Sequence, residues 1–210
     1  MSLENQLSLD GLEGYLQQLS WRNRNFYRSW LAQTYYYTSH STRLLEFCEF
    51  YASDAEAAQR YREHRQEENG HERIALSDLR RLDADIVHYG EQLSTRTFYW
   101  EQYEVIRKYG DRPFLGYVLM LEILARDHGP YIFNEVRAAY GDRSANFLKI
   151  HVEEDVDHVN SAIRLLETFT DSEKSKVLEN FNWSINAYKA ILDECRSSIK
   201  EAPNENLAAV

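Results

Sequence analysis

Residues 151–158 read His151-Val-Glu-Glu-Asp155-Val-Asp-His158. At ~100° per residue of an α-helix, positions 151, 155 and 158 fall within an arc of about 60°. On a helix, two imidazoles and one carboxylate therefore point the same way from one rigid element. The surroundings favour a helix: apolar residues recur at helical spacing along nearly the whole chain, and strand-like alternation is scarce. Imidazole together with carboxylate suits iron, manganese or zinc. The competing reading is a solvated acidic face with incidental histidines.

A second segment, His64-Arg-Gln-Glu67-Glu68-Asn-Gly-His71, repeats the spacing His-x3-acid-x2-His. Its Glu68 and His71 also form the Glu-x-x-His pair that di-iron helix bundles direct inward from one face. A charged surface helix is the plain alternative, because Arg and Glu surround these residues. The third piece is Glu122, set in the apolar run from Phe114 to Ala125. Burying an unpaired carboxylate costs several kcal/mol at least, so Glu122 must be neutralised, paired or bound to a metal. A buried salt bridge to Arg would also satisfy it. Glu68, His71, Glu122, His151, Asp155 and His158 together supply three imidazoles and three carboxylates. That set can hold two ferrous ions and leave positions open for dioxygen and substrate.

Outward from these motifs the chain reads as helix throughout. A helical N-terminal region spans about Asp10 to Tyr51, with a break near Trp21 or Tyr37. Ser53-Asp-Ala-Glu56 reads as a capping box opening a long polar helix to about Leu82. Ile86 to Gly90 is a connection, and a helix follows from about Ser94 to Tyr109. Gly110-Asp-Arg-Pro113 breaks it, with Pro113 in the first turn of the next helix. That helix meets Gly129-Pro130, where a kink is expected, and ends near Gly141. Asp142 or Ser144 starts a helix through about Thr168. Thr170-Asp-Ser-Glu173 is a second capping box, opening a last helix to about Lys200. The expectation is an all-α bundle of seven helices in a single domain over 1–210, ordered from about 10 to 200, with a mobile tail at 201–210.

Composition narrows the function. With 43% hydrophobic and 13% aromatic residues, the chain can bury a sizeable core. Eight Gly and three Pro are too few for a turn-dense β-sandwich. The 24 basic and 34 acidic residues give a net charge of −10, which repels phosphate backbones and disfavours nucleic acid as a partner. The longest apolar stretch is too short to span a bilayer, and the N-terminus lacks the basic and apolar regions of a signal peptide. Cys48 and Cys195 form no disulfide framework, so the expected compartment is the cytoplasm.

The order of these motifs resembles that of the heme-oxygenase-like di-iron oxidases and oxygenases: a Glu/His helix, a lone Glu on an apolar helix, then His-x3-Asp-x2-His. The resemblance covers roughly Asp10 to Cys195. It implies a seven-helix fold shared with thiaminase-like and coenzyme-PQQ-synthesis proteins. It also implies two Fe(II) ions that activate dioxygen through a peroxo intermediate, with an external electron donor or a manganese-for-iron exchange as open variants. Some members place a Glu seven residues before the His, where this chain has His64. Others use Glu-x-x-His, which Glu68 and His71 satisfy, so His64 and Glu67 stand as alternative or supporting residues. The implied reaction is oxidation of a small soluble metabolite, with an amino acid or derivative preferred over a fatty acid: N-oxygenation, C–C cleavage or decarboxylation.

Weaker features remain. In Tyr35-Tyr36-Tyr37 and His40, the residues Tyr36 and His40 are substrate-binding candidates, as is Arg126 one turn beyond Glu122. Two of the three tyrosines are expected in the core. His88 is incidental, and Cys48 reads as a packed thiol rather than a nucleophile. Tyr99 and Trp100, as exposed aromatics, favour a homodimer. Three other functions compete: a metal-free thiaminase-like or cofactorless enzyme of the same fold, a non-catalytic heme- or metal-binding protein, and a helical interaction module with a Glu–His–Arg network.

Overall fold

The computed structural model describes residues 6–9 and 11–201, excluding the side chains of 154–157 and 199–201. Asp155, among the expected ligands, therefore has a side chain outside the described residues, as do Asp10 and the tail at 202–210. The elements are α1 (Leu12–Gln17), α2 (Arg24–Thr38), α3 (Ser41–Phe50), α4 (Ala55–Glu67), α5 (His71–Arg81), α6 (Leu93–Tyr109), α7 (Leu115–Tyr140), α8 (Asn146–Glu167) and α9 (Asp171–Glu201). Short 3-10 turns at Ile86–His88, Arg112–Phe114 and Asp142–Ser144 join them.

The all-α expectation holds among the described residues, with eight helices of ten residues or more in place of seven. The extra one comes from the polar helix expected from Ser53 to Leu82. It is two helices, divided at Gly70, whose φ of 100° is left-handed backbone that residues with a Cβ adopt only with strain. The N-terminal region breaks twice, on both sides of α2. Pro130 sits inside α7, which runs on through it to Tyr140 as one element.

The two capping boxes differ in outcome. Thr170 and Glu173 form the expected reciprocal pair: the Thr170 N–H and hydroxyl donate to Glu173 Oε2 at 2.8 and 2.7 Å, and the Glu173 N–H donates back at 3.4 Å. At the other, Asp54 is the cap, accepting from the Ala57 N–H at 2.8 Å. Asp54 has the charged oxygen and extended backbone that the position favours, so α4 starts one residue later than Ser53 implied.

Helix α7 lies at the centre. Its N-terminal half is buried on almost every face, between α8 on one side and α9 on the other. Gly116 makes the α7–α9 approach possible: a Cβ there would lie 2.2 Å from the Val177 carbonyl oxygen. Large aromatics fill the core around it, among them Trp21, Phe26, Tyr27, Phe98 and Phe181. Each such side chain, fully buried, contributes roughly 1.5–3 kcal/mol. Cys48 is buried in this core, as expected. Tyr99, expected exposed, is buried with its hydroxyl donating to Glu91 Oε1 at 2.8 Å, whereas Trp100 is exposed. No described helix is long and apolar enough to cross a membrane.

Candidate metal centre

Four helices bring six side chains together in the bundle interior. Helix α4 supplies His64, and its C-cap residue is Glu68. His71 is the first residue of α5, Glu122 comes from α7, and α8 brings His151 and His158. They form two groups, His64–Glu122–His158 and Glu68–His71–His151, and in each the nearest donor atoms lie within 4.8 Å of one another. Ligands held about 2.1 Å from one ion stand at most about 4.2 Å apart, so a small closure suffices in each group. The groups are adjacent: Glu68 Oε1 is 3.6 Å from His71 Nδ1 and 3.8 Å from His64 Nε2, so this carboxylate reaches toward both. His64 Nε2 is also 3.8 Å from Glu122 Oε1. Four imidazoles and two carboxylates are a fitting set for iron.

The break at Gly70 changes how Glu68 and His71 meet. They do not project from one continuous helical face; they meet across a junction, with the His71 N–H donating to the Glu68 carbonyl at 3.3 Å. His64, an alternative on sequence grounds, stands in a full group with Glu122 and His158. Glu67 is half exposed and its Oε2 lies 3.5 Å from His158 Nε2.

Electrostatics prepare the site. Burial alone would raise the Glu68 carboxyl, but the flanking His64 and His71 imidazoles hold it well below the usual carboxylate range. Burial disfavours the His64 imidazolium, yet Glu68 and Glu122 outweigh that and raise its pKa. His151 Nδ1 lies 2.8 Å from the Phe147 carbonyl oxygen, one turn back on α8. A carbonyl only accepts, so Nδ1 carries the proton and Nε2 keeps its lone pair for a metal.

A residue outside the expected set anchors this arrangement. Asp78, fully buried on α5, accepts from the Phe147 N–H at 2.8 Å and from Asn146 Nδ2 at 3.1 Å. Arg81 Nη1 donates to it at 3.1 Å. A carboxylate at the N-terminus of α8 complements the helix dipole and ties the helix of His151 and His158 to the helix of His71. Its buried position was not visible in the sequence.

A cleft with about 870 Å³ of empty space, open solvent included, runs to the site, with His64, Glu68, Glu122 and His151 in its wall. A second, with about 400 Å³ counted the same way, is lined by Arg60, Glu63, Glu67 and Ser161 as well as His64, Glu122 and His158. The substrate-binding candidates are placed elsewhere. Tyr36 donates to the Tyr89 carbonyl at 2.7 Å, and His40 stacks on Tyr99 with Nδ1 3.1 Å from the Tyr103 hydroxyl. Arg126 pairs with Asp127 at 2.6 Å. None of the three lines the larger cleft, whereas Tyr37 does.

The bundle is all-helical among the described residues, its fold is heme oxygenase-like, and its histidine and glutamate groups could hold a metal ion. The chain belongs to the family of iron-containing redox enzymes, whose family model matches residues 28–189. It is similar to the crystal structure of a domain of unknown function with a heme oxygenase-like fold from Shewanella denitrificans OS217. The TM-score is 0.78 at 18% identity, covering 99% of this chain and 94% of that one. A CADD-like protein of unknown function from Nostoc punctiforme PCC 73102 is similar at TM-score 0.67 and 15% identity, covering 97% of this chain and 96% of that one. No curated protein sequence matches the chain.

Proposed function

We propose that the protein is a non-heme di-iron oxidase or oxygenase that uses dioxygen to oxidise a small organic molecule. The observation that carries this reading is the pair of adjacent three-residue groups with Glu68 reaching toward histidines of both. His64, Glu122 and His158 would hold one ferrous ion and Glu68, His71 and His151 a second, and the pair would supply electrons and open coordination positions for dioxygen. Glu68, already ionised at neutral pH, offers a charged oxygen without first losing a proton. His151, fixed by the Phe147 carbonyl, presents Nε2 in one orientation. Glu67, between solvent and His158, carries protons to and from the centre. The larger cleft holds the substrate beside the ligand residues. Turnover draws on an external electron donor, and manganese in one position suits the same donor atoms.

The test is anaerobic loading of the apoprotein with ferrous iron, counting tightly held iron per chain in the wild type, His158→Ala and His64→Ala. Close to two irons, reduced by each substitution, supports the reading. One iron or none, unchanged by both substitutions, refutes it.

A further inference from the structure

The second cleft joins solvent to the ligands of one group. Arg60, Glu63, His64 and Glu67 stand at i, i+3, i+4 and i+7 on α4, so one face of that helix forms a wall of it. His158 and Ser161, three residues apart on α8, and Glu122 of α7 complete the lining. Exposure falls from Glu63 to Glu122. Glu63 is exposed, and the side chain of Glu67 is 52% exposed, against 24% for His158, 14% for His64 and 7% for Glu122. Glu67 Oε2, at 3.5 Å from His158 Nε2, reaches the ligand atoms themselves. Glu63 lies one turn before it on α4 and accepts from Gln59 Nε2 at 2.7 Å. Arg60 Nη1 donates to Ser161 Oγ at 2.8 Å, which ties its guanidinium to α8.

We propose that this cleft is the path by which a divalent cation enters the His64–Glu122–His158 group, with Glu63 and Glu67 drawing it in and passing it on, which rests on the reading of that group as a metal position. A small divalent ion in water gives up its hydration shell reluctantly. Carboxylate oxygens along its way accept hydrogen bonds from the bound waters and then replace them one at a time. Glu63 meets the hydrated ion at solvent, and Glu67 hands it to His158. Negative charge at the mouth of a cleft also raises the local concentration of a cation and its rate of entry. Arg60 works against this, as a positive charge held beside the same path, and so limits the rate. Charges that act in this way change how fast the ion arrives. The number of ions held at saturation is left to the histidines and glutamates of the two groups.

Stopped-flow mixing of metal-free protein with excess cobaltous chloride tests the path, because cobaltous ion absorbs visible light more strongly when imidazole and carboxylate replace its waters. At low salt Glu63→Gln and Glu67→Gln are each expected to slow binding about threefold, and Arg60→Gln to speed it by about the same factor. Glu13→Gln, the same change of net charge at an exposed position of α1, is expected to leave the rate unchanged. In about 0.15 M salt all three effects should shrink. The final metal count per chain should match wild type in every variant. Glu13→Gln as slow as the cleft variants would assign the effect to the overall charge of −10 and overturn the path. Slower binding in Arg60→Gln, or rates unmoved by all three cleft substitutions, would overturn it too. A lower final count in Glu67→Gln would make Glu67 a ligand and overturn its part as an escort. The ferrous count tests the di-iron reading separately. One ion bound, with the rates still ordered by charge, would refute that reading and leave the path standing.

Discussion

Asp78→Ala would show how the fold holds the helices that carry the candidate ligands. The buried Phe147 N–H would lose its acceptor, a loss of about 1–3 kcal/mol. Removing a carboxylate from the start of α8 would subtract a further ~0.3–1 kcal/mol. The ion pair with Arg81 adds little, because the Arg81 side chain is 42% exposed and turns to water. Together these give about 3 kcal/mol, or roughly 6–12 °C in Tm for a chain of this length. Asp78→Asn keeps an acceptor for Phe147 and should cost under about 1 kcal/mol. The two variants also differ from wild type in pH dependence. Burial raises the Asp78 carboxyl above its ordinary 3.8 despite its hydrogen bonds. A raised folded pKa means the native state binds the proton more tightly, so this contribution is fully present below pH 3.8. It falls as pH rises through the folded value. The stability of wild type relative to Asp78→Asn should therefore decline across that window and then level off. Urea unfolding of metal-free protein from pH 3.5 to 7 measures both effects, and ferrous binding at pH 7 measures the consequence at the site. Asp78→Ala should weaken iron binding at least tenfold, because His151 and His158 ride on the released helix. A loss below about 0.5 kcal/mol, or Asn as damaging as Ala, would refute the capping argument.

Gly116→Ala would push a methyl against the Val177 carbonyl and separate α7 from α9; a loss of about 1–3 kcal/mol in chemical unfolding is expected. Glu122→Leu should raise the Tm of the metal-free protein while removing bound iron, because a buried charge is exchanged for apolar packing. Iron titration should separate His64→Ala, which loses one iron, from Glu67→Ala, which keeps the count near two, since Glu67 stands outside both three-residue groups. Gly70→Ala should cost about 1–2 kcal/mol for left-handed backbone at a residue with a Cβ, read by thermal unfolding.

What the sequence revealed and what it concealed divide along physical lines. The His151 to His158 spacing is local, and a helix fixes its geometry wherever it packs. Glu122 stood out because a carboxylate in an apolar run has few stable fates, and the structure buries it. Tyr36 and Tyr37 are neighbours turned ~100° apart on one helix, so only tertiary packing decides that Tyr37 faces the cleft while Tyr36 bonds to the Tyr89 carbonyl. The same holds for Tyr99, buried, and Trp100, exposed. Asp78 acts on a helix 69 residues further along, a separation over which no local pattern carries information. The joining of His64 with Glu122 and His158 likewise needs three helices to meet.

Gly70 connects these levels. On an unbroken helix His64, Glu68 and His71 would lie within about 60° of one another, spread over two turns, as His151 and His158 do on α8. The left-handed residue at Gly70 ends α4 and restarts the chain as α5 in a new direction. His71 then turns to His151, with the two rings 4.9 Å apart, while His64 stays beside His158, with their rings 5.5 Å apart. Glu68, the cap between the two helices, is left between the groups with a histidine on either side. The motif of α4 and α5 is thus divided between the two groups across the junction at Gly70, whereas His151 and His158 reach the same two groups from one continuous helix.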